Sequence, residues 1–167
     1  MRGYAPAVAS PASVLYVELV MSVDRMTGSA RAAVARREAD GVVGGPDDWP
    51  PHVIVGHVSD VDEQVWSPRL ALMLEAFDAG QQPPSFDWWE PDGESTYARY
   101  AGTSLDDAAA RLMSTRIAML TRLRELTPEQ WAGARAQHET FGEMDVEALI
   151  LATLGHDEEH RGSLVMG

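Results

Sequence analysis

The chain has 167 residues, 45% hydrophobic and 23% charged, which suits one soluble globular domain over 1–167 and excludes the low-hydrophobicity signature of disorder. It has no cysteine, which excludes disulfides, iron–sulfur clusters, cysteine zinc sites and a protein thiol nucleophile, so any thiol must arrive with a ligand. Its 13 basic residues, all arginine, face 26 acidic ones, and a formal net charge of −13 argues against nucleic acid and anionic membranes as partners.

No run approaches the ~20 apolar residues of a membrane span. The first apolar run, residues 14–17, ends at Glu18 and follows the small residues 5–9, the wrong order for a signal peptide, so a cytoplasmic location is expected. Ser10 before Pro11 reads as an N-cap with proline at the first helical position. Val14, Leu15, Leu19, Val23, Met26, Ala30 and Val34 then follow at helical spacing toward Glu38, a long first helix loosened at Gly28. The glycines and prolines of 41–51 predict a loop, with Asp47 or Asp48 capping the next helix.

A second helix is predicted from Pro50 and Pro51 through Val53, His57, Val61, Val65, Leu70, Leu74 and Phe77 to Gly80. Pro68 inside it lacks a backbone donor and crowds the preceding turn, which predicts a kink, with a restart capped by Ser67 as the alternative. Residues 81–102 carry Pro83, Pro84 and Pro91 beside Trp88, Trp89, Tyr97 and Tyr100, and read as a long irregular crossover. Ser104 with Asp107 resembles a capping box and opens a third helix through Leu112, Leu120 and Leu126. Thr127 and Pro128 cap a short helix ending near Gly133, and Asp145 starts a fourth through Leu149, Thr153, His156, His160 and Leu164. No two apolar strand-like runs flank a turn, so no sheet is expected. The predicted fold is all-α, a four-helix bundle with a long crossover connection.

The histidines carry the functional signal. His156 and His160 are four residues apart, hence one turn apart on one helix face, a chelating geometry for a single metal ion. With Leu149 and Thr153 they continue the stripe that should face the core, where an imidazole needs a polar partner or a metal. Val53, His57, Asp60 and Gln64 form a similar inward row, so His57 offers a third nitrogen. Three histidines without cysteine describe an open site with a position left for water or substrate. The alternative is structural: core histidines satisfied by Asp60, Asp157, Glu158 or Glu159. A zincin-type protease needs glutamate directly after the first histidine, and Asp157 stands there. His138 is a distant fourth-ligand candidate, His52 has no partner at useful spacing, and Met113 and Met119 read as core filler.

Trp49 followed by His57 and Asp60, and the closing His156-Asp157-Glu158-Glu159-His160, resemble the signature of the DinB-like (YfiT-like) metalloenzyme superfamily. The order of parts matches over nearly the whole chain, including a third helix bearing Arg111 and Arg116. The resemblance implies a divalent metal, zinc or nickel, held by His57, His156 and His160 at one end of the bundle. It further implies a small-molecule substrate, a homodimer, and a transferase using mycothiol, bacillithiol or glutathione. Other readings of the same site are a non-catalytic metal- or small-ligand-binding stress-response protein and a metal-dependent hydrolase. Asp60 and Asp157 are candidates to orient the imidazoles, or else solvated helix surface. Arg116 would meet an anionic substrate or form a surface ion pair. Trp66, Trp88, Trp89, Tyr97 and Tyr100 would line a pocket or pack the crossover down. Two departures stand out: Ser163 replaces a common glutamine, and Pro68 interrupts the second helix.

Overall fold

The computed structural model describes residues 11–166; Ser10, expected to cap the first helix, lies outside them. Helix α1 spans Pro11–Asp40 with no break at Gly28. It stops where Gly41 turns left-handed (φ +69°), letting the Val42 N–H reach the Arg37 carbonyl at 2.8 Å. Helix α2, Pro51–Val61, starts on prolines that owe no donor to the first turn. It has no side-chain cap, and Asp48, expected in that role, instead accepts from Arg37.

Pro68 is accommodated by a wide turn. Residues Asp62–Trp66 form a π-turn in which the Ser67 N–H bonds the Asp62 carbonyl, five residues back. Proline then falls in the first turn of α3, Ser67–Asp78, where its missing donor costs least. The expected kink thus takes the form of a π-turn, and no side chain caps a restart at Ser67. The extra residue rotates the inward face: Gln64, expected inside, is exposed, and Asp62 is buried.

The crossover is more regular than expected. Strand β1 (Ser85–Phe86) precedes helix α4 (Gly93–Tyr100), which Asp92 caps by accepting the Ser95 N–H at 2.7 Å. The expectation of no sheet also fails. β1 pairs in parallel with β2 (Arg135–His138), and β2 pairs antiparallel with β3 (Gly142–Asp145), in the order β1-β2-β3. Strands of two and four residues are too short to show a hydrophobic period; only Phe86, Ala136, His138 and Met144 turn inward.

The remaining helices begin where their caps predict. Ser104 accepts the Asp107 N–H at the start of α5 (Leu105–Arg124), and Thr127 and Gln130 form a capping box at α6 (Pro128–Gly133). Asp145 accepts the Ala148 N–H at the start of α7 (Val146–Met166). Helices α1, α2, α5 and α7 make the bundle, α1 packing on α7 and α5, and α2 on α5 and α1. No helix among the described residues is long and apolar enough to cross a membrane.

The core has two apolar halves, one around Leu19, Leu70, Met73, Leu123 and Ile150, the other around Val23, Met26, Val55, Leu112 and Leu164. Where they meet, each bundle helix contributes a buried polar residue: Ser22, Asp62 at the end of α2, Arg116 and Asp157. Arg116 is fully buried and bonds Asp62 (2.9 and 3.3 Å), Asp157 (2.9 and 3.1 Å) and the Leu19 carbonyl (3.1 Å). Ser22 donates to Asp157. This network replaces the expected role of Arg116 at a surface or against a substrate, and it ties four helices together at one level.

Candidate metal centre

His57 projects from α2, and His156 and His160 lie one turn apart on α7, so the contact of α2 with α7 brings the three rings together. Ring centroids are 5.3 Å apart for His57–His156, 4.8 Å for His57–His160 and 4.5 Å for His156–His160. One ligand atom from each lies within 4.8 Å of the others. His57 is buried and the other two are half-buried.

The chemistry of this donor set can be tested against the structural alternative. Among the described residues, none of the three rings bonds a carboxylate. Nε2 of His156 and Nε2 of His160 face each other at 3.1 Å, while Nδ1 of His57 and Nδ1 of His156 are buried without a partner. Burial, with the charge of His160 second, holds His57 down at about 3, and the same causes act on His156. His160 is lowered by burial as well. All three are therefore neutral near pH 7, with lone pairs free to ligate and polar needs the protein does not meet. Three neutral imidazoles suit a divalent transition-metal ion.

A family model for the DinB superfamily matches residues 19–164, which include all three histidines. The chain belongs to the DinB superfamily. No curated protein and no solved structure matches it.

In this DinB chain the carboxylates flanking the histidines do other work. Asp60 is neither solvated nor bonded to an imidazole; it accepts from Tyr100 (2.7 Å), Arg99 (2.9 Å) and Arg111 (3.2 Å). Asp157 is likewise buried, facing Arg116 and bonded to no imidazole. Asp60 holds α4 through Tyr100, whose ring lies on α2 at Gly56, where an added Cβ would sit 2.5 Å from it. Tyr100 therefore packs the crossover and does not line the site, and Tyr97 does not line it either.

The rings of Trp49 and Trp89 flank His57 at 5.3 and 6.3 Å, the second nearly parallel to it. Together with Trp66, Trp88 and Arg69 they wall a cavity of about 290 Å³ that reaches all three histidines. Ser163, at the departure from the usual glutamine, is exposed and donates to the His160 carbonyl at 2.7 Å. His138 and His52 do not join the histidine group; His138 sits on β2 beside Arg69. Sequence reasoning missed Asp62 and Arg69. Asp62 does not stand out among the acidic residues of the second helix, and nothing in the sequence signals a contact between residues 69 and 138.

Proposed function

We propose that this DinB protein is a metal-dependent transferase that activates a low-molecular-weight thiol, with His57, His156 and His160 holding a zinc or nickel ion. The observation that supports it is the convergence of three neutral imidazoles on the floor of an apolar cavity, with no carboxylate or fourth histidine in the group among the described residues. A closed structural site would take its remaining ligand from the protein and have no such cavity. When bound, the ion would supply the Lewis acidity that favours the thiolate form of a small thiol. The absence of cysteine makes that thiol a cosubstrate, of the mycothiol, bacillithiol or glutathione type. The protein's own part is to keep the three nitrogens unprotonated, to exclude water with Trp49, Trp66 and Trp89, and to leave one side open to the small-molecule substrate. Homodimerisation and a cytoplasmic setting belong to the same proposal.

The experiment is metal content of the purified protein beside His57→Ala and His160→Ala, followed by a panel of thiols with an electrophile. One equivalent of metal in the parent and its loss in both variants is the expected result, with turnover only when a thiol is present. Variants that keep a full equivalent, bound as tightly as in the parent, overturn the site. Turnover without thiol would favour a hydrolase, and metal without turnover a binding protein.

A further inference from the structure

Arg69 lines the α3 end of the same cavity, and behind it, buried and not lining the cavity, His138 faces it donor to donor with no acceptor between them. Arg69 lies in the first turn of α3, twelve residues and roughly 18 Å of helical rise from His57. Its guanidinium carbon sits 5.5 Å from the Trp66 ring and 5.2 Å from the Phe86 ring. Nη2 donates to the Asp87 carbonyl, and Nη1 lies 3.2 Å from Nε2 of His138. Arg69 forms no ion pair with a described residue; the Asp87 carboxylate acts on it only through its field.

His138 settles what that 3.2 Å contact is. Its Nδ1 accepts the backbone N–H of Thr140 at 3.1 Å and of Phe141 at 3.4 Å, so the proton of the neutral ring is on Nε2. Turning the ring over would set a carbon against both N–H groups. Nε2–H therefore meets Nη1–H, two donors opposed, on a residue only 3% exposed. Burial, then the charge of Arg69, holds this imidazole below its ordinary value and so uncharged. A third donor, the indole N–H of Trp66, is buried without an acceptor, and Trp66 lines the cavity with Arg69. Such an arrangement is costly when empty of acceptors and favourable with an anion in place.

We propose that Arg69 and His138 form an oxyanion subsite that takes the carboxylate of a small aromatic or apolar acid lying in the cavity, its other end directed toward the three histidines. A carboxylate oxygen that enters from the cavity between the two side chains would accept from both Nη1 and Nε2, replacing the donor–donor contact with two hydrogen bonds. Trp49, Trp66, Trp88, Trp89, Val61 and Val65 supply the apolar walls for the body of the acid. The cavity, about 290 Å³, is at the small end for ligand sites. Glu90 and Glu159 on its wall, and the net charge of −13, work against a second negative group, so the ligand is a monocarboxylate. The inference rests on reading this cavity as the substrate site, and it names the class of substrate.

The test uses 4-phenylbutanoate and its uncharged isostere 4-phenylbutanamide, titrated against tryptophan fluorescence in zinc-loaded protein and in protein stripped by a chelator. The acid is expected to bind at least tenfold more tightly than the amide in both forms. Arg69→Met should abolish that preference, and Arg69→Lys, which keeps the charge and loses the planar fork, should retain part of it. Correlation of ring nitrogens with carbon-bound protons should show His138 as the Nε2–H tautomer. Equal binding of acid and amide, binding of neither, an undiminished preference in Arg69→Met, or a proton on Nδ1 of His138 each overturns the proposal. If Arg69→Met fails to fold, the parent's preference and the tautomer decide. Failure of the metal reading appears separately, as no zinc taken up by a protein that still prefers the acid.

Discussion

Replacing Arg116 by methionine is the sharpest perturbation of this fold, because it removes one cation from between two carboxylates. The guanidinium makes two bonds to Asp62, two to Asp157 and one to the Leu19 carbonyl, and the three charged side chains are at most 4% exposed. In Arg116→Met, Ser22 and Thr115 remain as side-chain donors to the two aspartates. Breaking a buried pair by removing one partner costs about 3–5 kcal/mol, and methionine fills most of the volume, so that cost is electrostatic. It is also pH-dependent. Burial, only partly offset by Arg116, already raises Asp62 to about 6 from its ordinary 3.8, and without the guanidinium Asp62 is pushed higher. A carboxyl raised on folding contributes stability that is full below its unfolded pKa and is lost as pH rises through the folded one. Parent and variant should therefore differ less at pH 5 than at pH 7.5. Urea unfolding followed by circular dichroism at both pH values measures this. A loss below about 1 kcal/mol at pH 7.5, well under the range expected for a broken buried pair, or one independent of pH, would refute the account. Adding Asp62→Asn and Asp157→Asn to Arg116→Met should restore part of the loss, since no bare charge is then left inside.

The histidine cluster gives the opposite sign. His57 and His156 fall from 6.5 to about 3, so in metal-free protein they contribute stability that is full above pH 6.5 and is lost as pH falls toward 3; acid titration of the apo protein, with His57→Phe as comparison, reads it. The same neutrality means that zinc binding at pH 7 displaces almost no protons, so its calorimetric enthalpy should not change with the ionisation heat of the buffer. Zinc at one hundred times its dissociation constant should add about 2.7 kcal/mol to stability, and a chelator should reverse the gain in a thermal melt. Gly56→Ala drives a methyl against the Tyr100 ring and should cost about 1–3 kcal/mol, measured by urea unfolding.

Much of this architecture was legible because its signals are local. Ser104, Thr127 and Asp145 announce helix starts through side chains that reach only three residues ahead, and the i, i+4 spacing of His156 and His160 puts both on one face whatever surrounds them. Juxtaposing His57 with them needed a longer step, the inward stripes of two helices, and the structure does bring the three rings together. What escaped was non-local or too short. Strand β1 joins the sheet by backbone pairing with a segment about fifty residues away, and the β2–β3 hairpin has strands of four residues with no apolar run to mark them. Arg116 read as surface because an arginine on a helix is usually solvated, and its burial depends on Asp62 and Asp157 arriving from two other segments at the same depth. Gln64 left the inward row because it lies within the π-turn, which shifts the helical phase by a residue.

The closing motif thereby has a division of labour that spacing alone concealed. Adjacent residues of a helix point about 100° apart. His156 faces His57 and the cavity, while Asp157 faces Arg116 and Ser22 in the core. The aspartate makes no hydrogen bond to an imidazole and acts on His160 only through its field; its bonds to Arg116 and Ser22 fix the rotation of α7 about its own axis. Any rotation that carried His156 and His160 away from His57 would also pull Asp157 from a buried guanidinium. The geometry of the candidate metal centre is therefore held by a charge network that touches none of its three rings, and Asp157→Asn should loosen metal binding less than it lowers stability.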